Sequence, residues 1–385
     1  MMSNLPRLLK ESWSLVEDQR DELAHHFYAR LFLANPRLRD LFPLQMDEQR
    51  GRLLGALVTA VQSFDDVARL DDYLAHLGRA HRRFGVVAEH YGIFGEVLLD
   101  SLRAFAENWC ADYDRAWREA YAMIAQKMIA AAEADDGPAF WYATVLTHER
   151  RGPDVAVFTC RPLEPFEYRA GQHVSVECAY QPRVWRTYSI ANAPNPDGTL
   201  EFHVRALSGG LVSGALVRRL RPGDLIRLGP PTGSMTLDLK STKDIVCVAG
   251  GTGLAPIKAL VEELTRYNRT RWVHLLVGAR HRDDLYDLAV LNRMAARHPW
   301  LSVVPACSED PTFRGEQGAI HEVLARNAPW GERDFFVSGP PAMVRATLRT
   351  LADLSVPATR IKYDPVPEDG AQPPIPAATA TTTPA

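Results

Sequence analysis

Two histidines, His81 and His90, lie in the stretch LGRAHRRFGVVAEHYGIFG (residues 77–95), which otherwise has the pattern of helix and turn. An imidazole can bind a metal ion through one of its ring nitrogens. A histidine in a helical segment is nevertheless more often an ordinary surface or core side chain. Whether either of them holds a group therefore depends on what the rest of the chain could deliver to this place.

Two other segments contain residue types that bind nucleotides. The apolar run DIVCVAG leads into GGTGLAP (residues 250–256) and then into the helical pattern IKALVEEL. Small residues at a strand-to-helix junction let the backbone approach a pyrophosphate, although tight packing also favours glycine and the spacing is not G-x-G-x-x-G. Upstream, RTYSI (residues 186–190) offers an arginine, a tyrosine and a serine that could contact a phosphate and a ring. An amphipathic strand with a salt-bridged arginine would have the same pattern.

The elements that must position these residues change in type along the chain. Residues 5–135 have helical periodicity, with Leu23, Phe27 and Leu31 at i, i+4 and i+8. Residues 139–236 contain short strand-like segments separated by turns such as RAGQ and NPDG, which predict an antiparallel barrel or sandwich. Residues 240–363 alternate apolar strands with helices, which is typical of a parallel sheet.

The chain is therefore predicted to be multidomain. We predict an all-α domain over residues 1–136, an antiparallel β-barrel over 137–236 and a parallel-sheet α/β domain over 237–365. The last segment, residues 366–385, is rich in Pro, Ala and Thr without periodicity and is predicted to be a disordered tail.

Composition excludes several classes of function. The 385 residues are 46% hydrophobic and 24% charged, and the net charge of −3 provides no basic face for nucleic acid. No apolar run approaches the roughly 20 residues that span a bilayer, and the N-terminus lacks the apolar core of a signal peptide. The five scattered cysteines fit neither a zinc nor an iron–sulfur site. We expect a cytoplasmic monomer that binds neither nucleic acid nor membrane.

An R-x-Y-S segment followed about sixty residues later by GGTGLAP resembles the ferredoxin–NADP reductase family, over residues 139–365. The resemblance implies that Arg186 meets the pyrophosphate of FAD, Tyr188 packs on the flavin and Ser189 contacts its reactive edge. It also implies a second contact with the FAD phosphate at Gly209, Gly210, Val212 and Ser213. The nicotinamide nucleotide would lie against Gly250, Gly251, Thr252 and Gly253. The turn beside the nicotinamide would be Ser338, Gly339 and Pro340.

This sequence departs from the reductase pattern at two positions. Ser338 replaces the usual cysteine, and Val366 stands where an aromatic lid is common. The loop GARHRDDLYD (residues 278–287) contains acidic residues that suit a free ribose hydroxyl and arginines that could hold a 2′-phosphate. The expected cofactor is NADH, with NADPH left open.

A flavin reductase must pass its electrons on, and these cysteines cannot build an iron–sulfur centre. The helical first third resembles a globin through HFYARLF, LFP, EQRGRLLGAL, AHRRF and EHYGIFGEVLL, and a globin before a flavin reductase resembles the flavohaemoglobins. The resemblance implies a b-type haem whose iron is bound by His81, with Phe42 against the porphyrin. It implies that Tyr28 and Gln49 donate hydrogen bonds to dioxygen and that Leu53 is an apolar gate. His90 is expected to be a surface residue.

The family's proximal histidine is usually held by a tyrosine and a glutamate. Tyr91 matches the tyrosine, but the glutamate position falls on Ala132, with Glu133 one residue later, and Ala80 stands where a lysine is common. The resemblance implies a nitric oxide dioxygenase that uses NAD(P)H, O₂ and NO. The departures keep open an oxidase or reductase with weak activity on NO. A third hypothesis is an oxygen or redox sensor whose tail recruits a partner.

Overall fold

The computed structural model describes residues 4–268 and 270–364. The chain forms two compact units, one up to Ala139 and one from Phe140 onward. The tail predicted over 366–385 and the lid position Val366 lie outside the described residues. The predicted boundaries between the three domains stay predictions.

The described part of the first unit is helical. Leu23, Phe27 and Leu31, which set the predicted period, are at most 1% exposed and lie in its core. The α-helices of this unit are α1 (Leu5–Ser14), α2 (Arg20–Ala34), α3 (Asp47–Ser63), α4 (Val67–His81), α5 (Ala88–Phe105) and α6 (Ala111–Glu133).

Helix α4 packs closely against α6. A Cβ atom at Gly78 would lie 2.2 Å from the carbonyl oxygen of Met128, so only glycine permits this approach of the two backbones. An ion pair between Lys127 and Asp71 joins the same two helices. Because His81 is the last residue of α4, this packing fixes where its side chain starts.

The second unit begins with a six-stranded antiparallel sheet in the order β4-β3-β6-β1-β2-β5. A single bridge between Ile190 and Phe202 joins the two edges, so the sheet is a nearly closed barrel. Helix α7 (Leu211–Arg218) connects the last two strands. The strands are β1 (Trp141–Arg150), β2 (Val155–Pro162), β3 (His173–Cys178), β4 (Arg186–Ser189), β5 (Leu200–Arg205) and β6 (Leu225–Leu228).

A parallel sheet in the order β10-β9-β8-β7-β11-β12 follows. All residues of its strand IVCVAG are buried, as expected for a strand covered on both faces. Its strands and helices are β7 (Ile245–Gly250), α8 (Leu254–Tyr267), β8 (Val273–Ala279), α9 (Leu288–Arg297), β9 (Leu301–Cys307), β10 (Glu316–Gln317), α10 (Ile320–Arg326), β11 (Asp334–Ser338), α11 (Pro341–Asp353) and β12 (Ile361–Tyr363).

A helical unit, an antiparallel barrel and a parallel α/β sheet are the three architectures predicted from the sequence, and the fold class is confirmed. Within the residues that the structure describes, no helix is long and apolar enough to cross a membrane.

Candidate functional site

His81 has the chemistry of a metal ligand. Its Nδ1 lies 2.7 Å from the carbonyl oxygen of Leu77, one helical turn earlier, and donates a hydrogen bond to it. Burial lowers the pKa of His81, which keeps the imidazole neutral at pH 7. Its Nε2 therefore carries a free lone pair and makes no hydrogen bond to any described residue. Orientation by a backbone carbonyl through the other ring nitrogen is how metal-binding histidines are held.

An aromatic cluster in the same unit carries the predicted dioxygen donors. Tyr28 is 4% exposed, and its ring lies edge-on to that of Phe42 with the centroids 5.5 Å apart. The side-chain amide of Gln49 donates a hydrogen bond to the Tyr28 hydroxyl at 3.2 Å. Leu53 is one turn after Gln49 on α3 and therefore lies on the same helix face, and it is 9% exposed. The structure thus brings these four predicted residues together.

The Tyr28 hydroxyl is set up to donate. Burial raises the pKa of Tyr28 to about 12, an effect that outweighs the hydrogen bond from Gln49. The hydroxyl therefore keeps its proton at neutral pH. Since its oxygen already accepts from Gln49 and its proton has no acceptor among the described residues, the proton is available to a ligand.

His90 and Tyr91 are placed differently from His81. The Nδ1 of His90 accepts a hydrogen bond from the backbone N–H of Val87 at 3.2 Å and so caps the start of α5. The Tyr91 carbonyl accepts from the hydroxyl of Tyr121 at 2.7 Å, but no hydrogen bond joins Tyr91 to His81 among the described residues. The role predicted for Tyr91 stays a prediction.

No carboxylate of the described residues hydrogen-bonds to the imidazole. Glu133 ends α6 with an exposed side chain, and Ala132 has no polar group. The carbonyl of Leu77 is the recorded partner of the His81 ring. Hydrogen bonding by a neutral amide carbonyl donates less electron density through the imidazole than a carboxylate would.

These residues fit a haem better than a bare metal ion. No group of three or more His, Cys, Asp or Glu that could hold a metal is present in the described parts of the chain. A single neutral histidine with a free Nε2, in a unit that also has a wall of aromatic rings, suits an iron that would take its remaining nitrogen ligands from a porphyrin.

In the barrel, β4 consists of Arg186, Thr187, Tyr188 and Ser189. Its pairing with β3 sets Ser189 opposite His173, while burial raises the pKa of Tyr188 and keeps its hydroxyl neutral. The RTYS segment is thus a strand of the barrel, with Thr187 exposed and the other three side chains half-buried. The predicted contacts of these residues with FAD stay predictions.

The turn before α7 leaves its backbone uncovered. Gly209 has φ +71°, and a Cβ atom there would meet nothing within 4 Å. The hydroxyl of Ser213 accepts from the N–H of Leu207 at 3.2 Å and donates to the carbonyl of Gly210 at 3.3 Å, so it closes the turn. Val212 is 1% exposed in the barrel core. An open glycine backbone at a helix start fits a phosphate group.

The glycines of GGTG have two different roles. A Cβ atom at Gly253 would lie 2.5 Å from the Cα of Gly339, and one at Gly250 would lie 2.4 Å from the Sδ of Met343. Gly251, by contrast, has φ +52° and open space at its Cβ position. The structure therefore packs the predicted segments 250–253 and 338–340 against each other at the carboxyl ends of β7 and β11, where α/β sheets bind nucleotides.

The loop after β8 has fewer available charged groups than its sequence suggests. The guanidinium of Arg282 donates to Asp310 at 2.9 Å. Asp284 accepts from the N–H of His281 at 3.3 Å and lies 3.6 Å from Arg205. Two charged residues of this loop, Arg280 and Asp283, are exposed, and their side chains make no hydrogen bond or ion pair among the described residues.

Sequence reasoning missed a group of buried and half-buried ionisable side chains in the second unit. Their hydrogen bonds join residues up to 83 positions apart, so no local pattern marks them. They are Glu201, His203, Lys258, Glu262 and Tyr286. It also missed the contact of His173 with Asp364, in which the Nδ1 of His173 lies 3.8 Å from a carboxylate oxygen of Asp364.

Comparison with known proteins agrees with this organisation. The chain matches the globin family over residues 25–128, the oxidoreductase FAD-binding domain over residues 143–237 and the oxidoreductase NAD-binding domain over residues 247–349. A flavohemoprotein of Bordetella pertussis is 30% identical over 92% of this chain and 95% of the relative. The chain belongs to the flavohemoprotein family.

A flavohemoprotein of Chromobacterium violaceum is likewise 30% identical, over 94% of this chain and 98% of the relative. The solved structure of a flavohemoglobin from Malassezia yamatoensis, with bound FAD and haem, matches this chain with a TM-score of 0.70. The match covers 94% of this chain and 98% of that structure's chain at 16% sequence identity, which shows the fold.

As a flavohemoprotein, this chain uses haem, FAD and a nicotinamide nucleotide. It is an oxidoreductase that passes electrons from NAD(P)H through FAD to haem. The predicted cofactors and the predicted direction of electron transfer are confirmed.

Proposed function

We propose that this flavohemoprotein is a nitric oxide dioxygenase, with His81 as the iron ligand and Tyr28 and Gln49 as the donors on the dioxygen side. When bound, haem would supply the centre for the reaction of O₂ with NO, and FAD would supply the passage from two-electron to one-electron transfer. The polypeptide binds, orients and tunes these groups.

The observation that carries the proposal is the Gln49–Tyr28 hydrogen bond at 3.2 Å. It leaves one phenolic proton, in a buried aromatic site, without an acceptor among the residues that the structure describes. A donor held in place before the ligand arrives favours a ligand that becomes negatively charged, because no reorganisation is needed when the charge develops. Dioxygen that accepts electron density is such a ligand.

The overall reaction fixes the test. Since NO, O₂ and one electron together give nitrate, one NADH should support two NO. NO is added to the protein in air-saturated buffer with NADH, and NO loss, nitrate and NADH consumption are measured. We expect one nitrate per NO and half an NADH per NO. Slow NO loss together with accumulating hydrogen peroxide would contradict the proposal.

A second candidate is an NAD(P)H oxidase or a reductase of other acceptors. The hydrogen bond from His81 to the Leu77 carbonyl favours it, because no carboxylate of the described residues hydrogen-bonds to the imidazole and enhances its electron donation. Its signature would be peroxide formation from O₂ at a rate that NO does not change. The sensor hypothesis depends on the tail, which lies outside the described residues.

We propose NADH as the preferred electron donor. Because Arg282 is held by Asp310, it is not available to a 2′-phosphate, whereas the free carboxylate of Asp283 suits a ribose hydroxyl. The ratio of kcat/KM for NADH to that for NADPH should exceed one, and Asp283→Ala should lower it. A ratio below one that Arg280→Ala raises would contradict this. The monomeric state and cytoplasmic location also stay predictions.

A further inference from the structure

The second unit contains buried charges where the barrel meets helix α8. We call Glu201, His203, Lys258, Glu262 and Tyr286 the interlobe network. Lys258 is 4% exposed, although it carries an ammonium group. An ammonium group can be buried only when it is paired with carboxylates and its hydrogen bonds are satisfied.

Lys258 is paired across the two folds. Its Nζ donates to Glu201 on β5 at 2.9 Å and to Glu262 one turn further along α8. Burial alone would lower the pKa of Lys258, but the two carboxylates raise it. The second oxygen of Glu262 accepts from the backbone N–H of Ala193 at 3.1 Å. Helix α8 is thereby joined to the segment that follows β4.

A second arm joins the same strand to the loop after β8. The Nε2 of His203 lies 2.9 Å from Glu201, and its Nδ1 lies 2.8 Å from the hydroxyl of Tyr286. Arg205 on β5 and Asp284 in the loop are 3.6 Å apart. Strand β5 therefore contacts both helix α8, which follows β7, and the loop that follows β8.

These contacts lie close to the predicted sites. Helix α8 begins at Leu254, directly after the GGTG turn, and Lys258 is about 6 Å further along the helix axis. The segment held by Glu262 directly follows Arg186–Ser189. A rotation of the sheet relative to the barrel would break these hydrogen bonds, whereas an apolar contact would tolerate some sliding.

We propose that the interlobe network is a positioning device for the reduction of FAD by NAD(P)H. It holds the GGTG turn and the loop at residues 280–287 where the nicotinamide can reach the flavin. In that step a hydride, with its two electrons, passes from NAD(P)H to FAD and leaves NAD(P)⁺, and one proton from solvent completes FADH₂. The inference depends on the reductase activity of the chain and not on nitric oxide dioxygenation.

The test uses the whole protein with its cofactors. Tyr286→Phe removes one hydroxyl and leaves every charge paired, while Lys258→Met removes the central charge. Lys240→Met makes the same substitution at an exposed lysine of the same unit and is the matched control. Bleaching of the flavin by NADH is followed anaerobically by stopped flow, together with the charge-transfer absorbance between reduced flavin and NAD⁺ and the unfolding temperature.

Misplacement of reacting groups by 1 Å can cost on the order of 100-fold in rate. We expect the limiting rate of flavin bleaching to fall at least fivefold in Tyr286→Phe and at least tenfold in Lys258→Met, with weaker charge-transfer absorbance. The apparent dissociation constant for NADH should stay within threefold, and Lys240→Met should match the unsubstituted protein.

An unchanged limiting rate and an unchanged charge-transfer band in Tyr286→Phe would overturn the proposal. This holds whatever the unfolding temperature of Lys258→Met. The network would then be a stabilising contact alone. Because the measurement contains neither O₂ nor NO, its outcome is separate from that of the nitrate assay.

Discussion

Replacing Tyr28 with phenylalanine tests the structure of the dioxygen site with a single atom. The ring and its edge-on contact with Phe42 are retained, and only the hydroxyl is lost. In the native protein this hydroxyl accepts from Gln49 and has a proton to donate. Tyr28→Phe therefore removes the proposed donor without opening the pocket.

The magnitude follows from the kind of hydrogen bond that is lost. A hydrogen bond to a charged partner contributes about 1.5–3 kcal/mol, and about 1.4 kcal/mol corresponds to a factor of ten. Dioxygen should therefore dissociate roughly 10 to 150 times faster from the reduced variant, because its developing negative charge loses a donor. Loss of the bond from Gln49 should lower the free energy of unfolding by about 1 kcal/mol.

The assay compares two ligands on the same variant. Dissociation of O₂ and of CO is followed by stopped-flow absorbance after ligand replacement. CO stays nearly neutral and should dissociate within about threefold of the native rate, since a weak acceptor gains little from the hydroxyl. Equal acceleration for both ligands, or no acceleration for O₂, would refute the assignment of Tyr28 as the donor.

Two further predictions concern the scaffold around the haem ligand. Gly78→Ala should lower the free energy of unfolding, measured in urea, by about 1–3 kcal/mol, because the new Cβ atom meets the carbonyl of Met128. Gly92→Ala has open space at its Cβ position and should raise the free energy of unfolding by about 0.5–1 kcal/mol. Equal effects would show that the α4–α6 contact is not tight. Burial lowers the pKa of both His76 and His81 from 6.5. Below pH 6.5 the unfolded chain therefore binds more protons than the folded chain, and the haem-free protein should lose stability as the pH falls. Unfolding in urea at pH 7.5 and 5.5 checks this, and His76→Gln should lose less than the native chain.

The sequence was informative where structure is local. The period of Leu23, Phe27 and Leu31 predicts their burial in α2, and the six buried residues of β7 appear in the sequence as one apolar run. Local patterns of this kind are set by the helix and strand periods. Both GGTG and SGPP follow parallel strands, and the pairing of β7 with β11, which only the structure shows, brings the two segments together.

Long-range contacts could not be read in this way. In the sequence Lys258 and Glu201 look like exposed charges on a helix and a strand, and the packing of α8 on the barrel buries Lys258 and half-buries Glu201. The orientation of His81 depends on the carbonyl of Leu77, which any residue could supply. The exposed side chain of Glu133 depends on the rotation of α6, which the sequence defines only to within a fraction of a turn.

The central claim is that one imidazole, that of His81, binds the haem iron. The absorption spectrum after addition of haemin tests it directly, with His81→Ala compared to His90→Ala, since His90 only caps α5. We predict a native Soret band in His90→Ala and its loss in His81→Ala. A native Soret band in His81→Ala would contradict the account.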